Sequence, residues 1–322
     1  MKKCMATALC VVLLCALLCG CTSTNQNQNE TKTLSIITTI FPLYDWTQNI
    51  VSGTDAQLRM LLDTGVDLHS FQPTVQDIVD ISDCDVFIYV GGESDKWVQD
   101  ALKEKNNQNM VVIDLMEVLA DNVKEEELVE GMQGEEEEEE EGPEYDEHIW
   151  LSLKNAAICS QAICDKLCTL DPEHKDIYTK NTTFYLAKIN QLDAEYEEMV
   201  KSANTKTLVF GDRFPFRYLT DDYGLTYFAA FIGCSAESEA SFDTVVFLAN
   251  KVDENALRYI LKIESSDGSI AKTIKENTKL KNQGILSLDS LQSVTAKDVQ
   301  KGVTYLGAMS DNKKILEKAL QN

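Results

Sequence analysis

Two histidines, His69 and His148, are the residues of this chain best suited to binding a metal ion. The 322-residue chain contains only three histidines. His69 follows a predicted strand, His148 precedes a predicted helix, and the third, His174, begins a predicted helix and is expected on the surface. Two imidazoles from loops at the same edge of one sheet would form half of a tetrahedral site.

The other ligands of such a site must be carboxylates, because the predicted second lobe at 205–322 has no histidine. Asp212 follows a predicted strand at 207–210, and Asp289 follows another at 284–288. Glu237 and Glu239 are reserve candidates. Imidazole nitrogen combined with carboxylate oxygen suits Zn²⁺ or Mn²⁺ and does not distinguish between them.

Short apolar, β-branched runs alternate with helical patterns along most of the chain. This alternation predicts an α/β fold with two lobes, each having a mainly parallel sheet flanked by helices. The predicted strands lie at 34–40, 56–62, 86–90, 111–115, 207–210, 225–231, 259–263 and 284–288.

One long helical pattern separates the two groups of strands. We expect an N-terminal lobe at 34–170, a linking helix at 171–204 and a C-terminal lobe at 205–322. Ligands of open α/β sheets bind at the carboxyl ends of the strands. Two such lobes facing each other would therefore place a site in the cleft between them.

An acidic insertion at 117–143 interrupts the first lobe. It includes seven consecutive glutamates at 135–141, directly followed by Gly142 and Pro143. Dense like charge repels itself, so we expect the insertion to be disordered. The glutamate run is either a solvated linker or a weak collector of cations.

The N-terminus has the features of a targeting segment. Lys2 and Lys3 precede an apolar stretch at 6–18, which is shorter than the roughly 20 residues that span a bilayer. Leu18-Cys19-Gly20-Cys21 resembles a bacterial lipobox. This predicts a signal peptide at 1–20, a lipidated Cys21 and a flexible stalk at 21–33. The alternative is an ordinary signal peptide cleaved nearby.

Charge and cysteine content narrow the class of protein further. A formal charge of −24 leaves no basic stripe to neutralise phosphates, so we expect no nucleic-acid partner. Five cysteines lie beyond Cys21, and an odd number cannot all pair. We expect most of them to be small buried hydrophobic residues: Cys84, Cys159, Cys164, Cys168 and Cys234.

Three motifs in order resemble the metal-binding solute receptors of bacterial ABC importers for zinc and manganese. They are Phe41-Pro42-Leu43-Tyr44, Leu68-His69-Ser70-Phe71-Gln72-Pro73-Thr74 and Glu147-His148-Ile149-Trp150-Leu151. The resemblance covers nearly all of the chain beyond the stalk. It implies that His69 and His148 are metal ligands.

The second half departs from the pattern of those receptors. When the two sequences are aligned without gaps at Tyr223-Gly224-Leu225, Arg213 occupies the position of a metal ligand in those receptors. A cationic side chain cannot bind a metal ion there. Either Asp212 replaces it, or water or Asp289 completes the site. The family also has an acidic ligand after its last strand, which fits Asp289.

The resemblance implies an extracytoplasmic receptor, not an enzyme, anchored to the bacterial cell membrane as a lipoprotein. It would bind Zn²⁺, or alternatively Mn²⁺, between the lobes and deliver it to an ABC importer permease. We expect a monomer. The alternatives are a zinc-dependent hydrolase or a surface adhesin with the same fold. The hydrolase lacks support because the chain has no HExxH motif, nucleophile elbow or P-loop.

Overall fold

The structure is a computed structural model that describes residues 33–103, 105–133, 144–235 and 239–321. The signal peptide, Cys21 and the glutamate run lie outside the described residues. Leu34–Asn322 forms one compact unit that contains the whole described core. Among the described residues, no helix is both long and apolar enough to cross a bilayer.

The first lobe is built on a parallel sheet of four strands in the order β2-β1-β3-β4. Its central strands are rich in Ile, Val and Phe because helices cover both faces. The strands are β1 (Ser35–Thr38), β2 (Gln57–Met60), β3 (Val86–Tyr89) and β4 (Val111–Asp114), and the helices of this part are α1 (Phe41–Val51), α2 (Val75–Asp83), α3 (Trp97–Lys103) and α4 (Leu115–Leu119).

Two helices follow the first sheet, α5 (Leu153–Leu170) and α6 (Lys175–Lys201). At 27 residues, α6 is roughly 40 Å long. Tyr185 of α6 donates to Asp45 of α1 (3.0 Å), and Tyr196 of α6 donates to the carbonyl of Met309 in the second lobe (2.6 Å). The long helix therefore contacts both lobes.

The second lobe repeats the topology of the first, with parallel strands in the order β6-β5-β7-β8. In both sheets, the second and third strands in sequence lie on opposite sides of the first strand, so the strand order reverses there. Open α/β sheets bind ligands at such a point. The elements are β5 (Thr207–Phe214), β6 (Thr226–Ile232), β7 (Tyr259–Ile263), β8 (Gly284–Leu288), α7 (Arg217–Tyr223), α8 (Phe242–Glu254), α9 (Ser269–Asn277), α10 (Ala296–Gln300) and α11 (Tyr305–Leu320).

These sheets confirm the predicted fold class of two α/β lobes. Buried side chains of both lobes also belong to one continuous hydrophobic cluster. Trp46 of α1 contacts Tyr305 of α11 edge-to-face, with ring centroids 5.3 Å apart. The lobes are thus packed firmly against each other behind the cleft.

The prediction that all of 117–143 is disordered is wrong for its first part. Leu115–Leu119 is a helix, and the chain after it binds the second lobe. The amide of Lys124 donates to the Tyr218 hydroxyl (3.0 Å), and the amide of Gln133 donates to the carbonyl of Ala230 in β6 (2.9 Å). These bonds satisfy backbone groups that a disordered segment would leave to water.

The contact between α1 and α6 predicts a pH-dependent stability. Burial raises the pKa of Asp45 from 3.8 to about 6, so the folded state binds this proton more tightly than the unfolded state. Stability from this group is present at low pH and is lost as pH rises through about 6. Asp45→Asn keeps an oxygen for Tyr185 without the charge. We expect little change in the free energy of unfolding at pH 3 and a gain on the order of 1–3 kcal/mol at pH 8.

Urea unfolding of both proteins at the two pH values measures this difference. An equal effect of the substitution at pH 3 and pH 8 would contradict the assignment of a buried, charge-sensitive carboxyl.

Candidate metal centre

His69 and His148 meet at the carboxyl edge of the first sheet. His69 lies in a 3₁₀ turn at Leu68–Ser70, where Asp67 Oδ1 accepts from its amide (3.1 Å). The His148 amide donates to Asp146 Oδ1 (2.8 Å). These short local bonds fix both loops, and the two Nε2 atoms lie 3.2 Å apart.

The other ring nitrogen of each histidine has its own partner. His148 Nδ1 lies 2.9 Å from Asp146 Oδ1, and His69 Nδ1 lies 2.8 Å from Ser94 Oγ. Donation from Nδ1 leaves the Nε2 lone pair free, which is how protein partners orient metal-binding histidines. With Zn–N bonds of about 2.0–2.1 Å, the edge of a tetrahedron is about 3.3 Å. The Nε2 separation therefore matches two ligands of one tetrahedral ion.

Burial keeps His69 in the form that binds metal. His148 is completely buried, and the side chain of His69 is 13% exposed. Burial, followed by the neighbouring His148, lowers the pKa of His69 from 6.5 to about 3. The imidazole is therefore neutral at physiological pH, and its lone pair is available to a cation.

The second lobe contributes Cys234, which lies in the turn directly after β6. Its Sγ and one ring nitrogen of each of His69 and His148 all lie within 4.8 Å of one another. Burial, and then the charge of Glu126, raise the pKa of this thiol well above its usual range.

Cys234 is the member of this group that sequence reasoning missed. The five cysteines were expected to be mostly buried hydrophobic residues, and Cys84, Cys159 and Cys164 are indeed buried. Cys234 is partly exposed and directly follows the turn residue at the end of β6. Its place at the carboxyl end of a strand was a signal available in the sequence.

A glycine is required at position 233, beside His69 and His148, because the backbone there passes directly over the imidazole of His148. A Cβ on Gly233 would lie 2.8 Å from His148 Cε1 and 3.0 Å from Nδ1. No side chain fits there without displacing the ring.

Buried carboxylates surround the group. Glu147 Oε1 accepts from the Ser94 amide (2.7 Å), whereas Glu147 Oε2 is buried without a hydrogen-bond partner, 3.7 Å from His69 Nδ1. Glu126 Oε1 is also buried and unpaired. Both residues line one cavity with His69 and Cys234. Buried unpaired carboxylate oxygens favour an incoming cation.

Asp212 lies elsewhere than predicted, because β5 does not end at 210. The strand continues to Phe214 with a register shift between Phe210 and Arg213, which places Asp212 inside it. Its Oδ1 accepts from the Arg213 amide (3.0 Å) and its Oδ2 from the Ile263 amide (3.4 Å). The carboxylate therefore joins β5 to β7.

Asp289 does follow β8 as predicted, but its carboxylate serves the turn. Oδ1 accepts from the amide of Leu291 (2.8 Å), a residue with φ of 60°. Burial, and then Glu264, raise the pKa of Asp289 to about 6. Neither Asp212 nor Asp289 belongs to the group formed by His69, His148 and Cys234. Glu239 is exposed, and Glu237 lies outside the described residues.

Arg213, in the place where the receptors have a ligand, makes an ion pair with Asp67 of the first lobe. Burial acts to raise the pKa of Asp67, but the interactions of its carboxylate with Arg213 and His69 together outweigh burial and lower the pKa. Gln292 of the second lobe contacts both loops. Its side-chain amide nitrogen lies 3.1 Å from both carboxylate oxygens of Asp67, and its side-chain oxygen lies 2.7 Å from His148 Nε2. The second lobe thus reaches both histidine loops.

Comparison with known proteins identifies similar chains. Residues 36–319 match the family described as "Zinc-uptake complex component A periplasmic". The chain is 31% identical over 289 residues to the zinc-binding lipoprotein AdcA of Streptococcus pneumoniae, covering 88% of this chain but 55% of AdcA. It therefore spans about half the length of that relative.

Two further matches cover most or all of the protein with which this chain is compared. The high-affinity zinc uptake system protein ZnuA of Bacillus subtilis is 28% identical over 292 residues, which is 89% of this chain and 88% of ZnuA. The crystal structure of the Zn(II)-bound ZnuA-like domain of Streptococcus pneumoniae AdcA superposes with a TM-score of 0.71 at 26% identity. That match covers 90% of this chain and 100% of the domain.

The position of Gly233 predicts that a methyl group there disturbs metal binding specifically. Gly233→Ala pushes on the His148 ring, and we expect metal affinity to fall about 10–100-fold, as when a partner that orients a ligand is lost. The matched control is Gly284→Ala, whose Cβ would also meet a ring at 2.8 Å, that of Tyr259, away from the histidines.

Zinc titration and thermal unfolding of both variants separate the two effects. Gly284→Ala should lower stability and keep the affinity. Equal loss of affinity in both variants would show that Gly233 acts only through general packing.

Proposed function

This chain belongs to the zinc-uptake complex component A family, and on that premise we propose that it is an extracytoplasmic receptor for Zn²⁺. It captures the ion between its two lobes and delivers it to the permease of an ABC importer. The names of its relatives, zinc-binding lipoprotein and zinc uptake protein, support this assignment. They favour a receptor over a zinc-dependent hydrolase or a protein whose only role is adhesion.

The observation that carries the proposal is the pair of facing Nε2 atoms, 3.2 Å apart. His69 and His148 are the proposed ligands from the first lobe. Ser94 and Asp146 hold the Nδ1 atoms, which keeps the two Nε2 atoms facing each other. At this distance the two Nε2 atoms share one hydrogen bond, and Zn²⁺ would replace it with two Zn–N bonds of about 2.0–2.1 Å.

The packing of the lobes indicates how the ion is taken up. The shared core and the long helix α6 restrict large opening of the cleft. We infer that capture involves small movements of the loops at the cleft mouth, with the carboxylates of Glu126 and Glu147 attracting the cation. Release then depends on contact with the permease.

The N-terminal segment completes the proposal. A lipid on Cys21 and a stalk at 21–33 would keep the receptor on the outer face of the cell membrane, beside its permease. Two observations support this: the lipobox-like residues Leu18-Cys19-Gly20-Cys21 and the name of the lipoprotein AdcA. We also propose that the receptor works as a monomer.

Substitution of the two histidines tests the site. In a chain that begins at Thr22, we expect one tight zinc ion per protein. His69→Ala or His148→Ala should each weaken binding about 100-fold or more, since each ligand contributes roughly a quarter of a binding free energy of about 10–16 kcal/mol. The control is His174→Ala, which removes an imidazole that is paired with Asp171 on the surface of α6.

Titration calorimetry with a competing chelator measures these affinities. The His174→Ala protein should bind zinc as tightly as the unsubstituted chain. Unchanged tight binding in the double variant His69→Ala/His148→Ala would refute the proposed site.

A further inference from the structure

The proposed zinc site still needs a ligand from the second lobe. His69 and His148 provide two of the four positions of a tetrahedral ion. The carboxylates suggested by the sequence already hold local structure, because Asp212 joins β5 to β7 and Asp289 closes a turn. The aligned position is occupied by Arg213, which is paired with Asp67.

Cys234 has the geometry of the missing ligand. Its Sγ lies within 4.8 Å of a ring nitrogen of each histidine. In a tetrahedral site with Zn–S of about 2.3 Å and Zn–N of about 2.05 Å, sulfur and nitrogen lie about 3.6 Å apart. A contraction of at most about 1.2 Å therefore brings the sulfur into bonding distance.

A second, independent feature indicates that a cation binds here. The side chain of Glu147 is 1% exposed, and its Oε2 has no hydrogen-bond partner. Glu147 lines the same cavity as His69 and Cys234. A buried carboxylate oxygen without a donor is costly unless positive charge compensates it.

The backbone supports this arrangement. Gly233 lets the turn after β6 approach the ring of His148 to within van der Waals contact, and the carbonyl of Ala230 in β6 accepts from the Gln133 amide (2.9 Å). The segment before the glutamate run thus holds the strand that carries Cys234 against the first lobe.

We propose that Cys234 is the second lobe's zinc ligand, which gives the receptor a site with two imidazole nitrogens and one thiolate sulfur. This inference rests on the proposed function and specifies its ligand set. On binding, the thiol proton leaves to solvent and the sulfur lone pair forms the Zn–S bond. The fourth position faces the cavity lined by Glu126 and Glu147.

A thiolate ligand also sets the metal preference. Sulfur is a soft ligand that favours zinc, whereas oxygen ligands suit manganese. The receptor should therefore discriminate strongly against Mn²⁺. Cys234→Asp replaces the sulfur with oxygen and should reduce the ratio of zinc affinity to manganese affinity.

Cobalt substitution tests the sulfur ligand directly. Co²⁺ bound to the chain from Thr22 should show an intense near-ultraviolet charge-transfer band from thiolate sulfur. We expect Cys234→Ala to lose this band and to weaken zinc binding about 100-fold. The control is Cys168→Ala, which removes another partly exposed free thiol and should keep both the band and the affinity. Cys234→His should recover zinc affinity without the band, which a purely structural role would not produce.

The outcomes separate this inference from the proposed function. A protein that binds zinc through His69 and His148, shows no sulfur band with Co²⁺ and keeps its affinity in Cys234→Ala would overturn the role of Cys234 alone. Absence of any tight, histidine-dependent zinc binding would overturn the receptor function itself. The metal-free Cys234→Ala variant should unfold at the same midpoint temperature as the metal-free unsubstituted protein. This equality would exclude loss of the fold as the cause of weaker zinc binding.

Discussion

The facing imidazoles of His69 and His148 are the constraint on which the rest of the site depends. Their Nε2 atoms lie 3.2 Å apart, close enough either to share one hydrogen bond or to bind one cation together. Burial lowers the pKa of His69 to about 3, so this imidazole is neutral at physiological pH and can bind a cation. Asp146 and Ser94 hold the other nitrogens, so the rings cannot turn away. A metal cation is the species that best satisfies this arrangement.

The two lobes keep the imidazoles in place. The indole of Trp150, two residues after His148, donates to the carbonyl of Ser290 in the second lobe (2.8 Å), and Tyr305 donates to the carbonyl of Trp150 (2.7 Å). Arg213 pairs with Asp67 next to His69. The histidines are first-lobe residues, yet second-lobe side chains fix the loops that carry them. This dependence explains why the lobes share one core.

The sequence predicted the fold and the meeting of the two histidine loops at one edge of the first sheet, because both follow from local patterns. Strands such as 86–90 and 284–288 are short apolar runs, and the histidine loops follow or precede regular elements. The second lobe was harder. Asp212 was expected after a strand, but a register shift carries β5 through it, and no local pattern encodes such a shift. Residue type alone predicts a buried hydrophobic Cys234, whereas its proposed role as a ligand depends on long-range contacts across the cleft. The acidic insertion was judged by charge alone, although its first part binds β6.

X-ray absorption at the zinc edge of the zinc-loaded protein tests the account most directly. Multiple scattering from imidazole rings and a sulfur at about 2.3 Å are expected in the same coordination shell. This result is the one predicted if both lobes bind one ion through His69, His148 and Cys234. A shell of oxygen atoms alone, without imidazole scattering, would contradict the central role of the histidine pair.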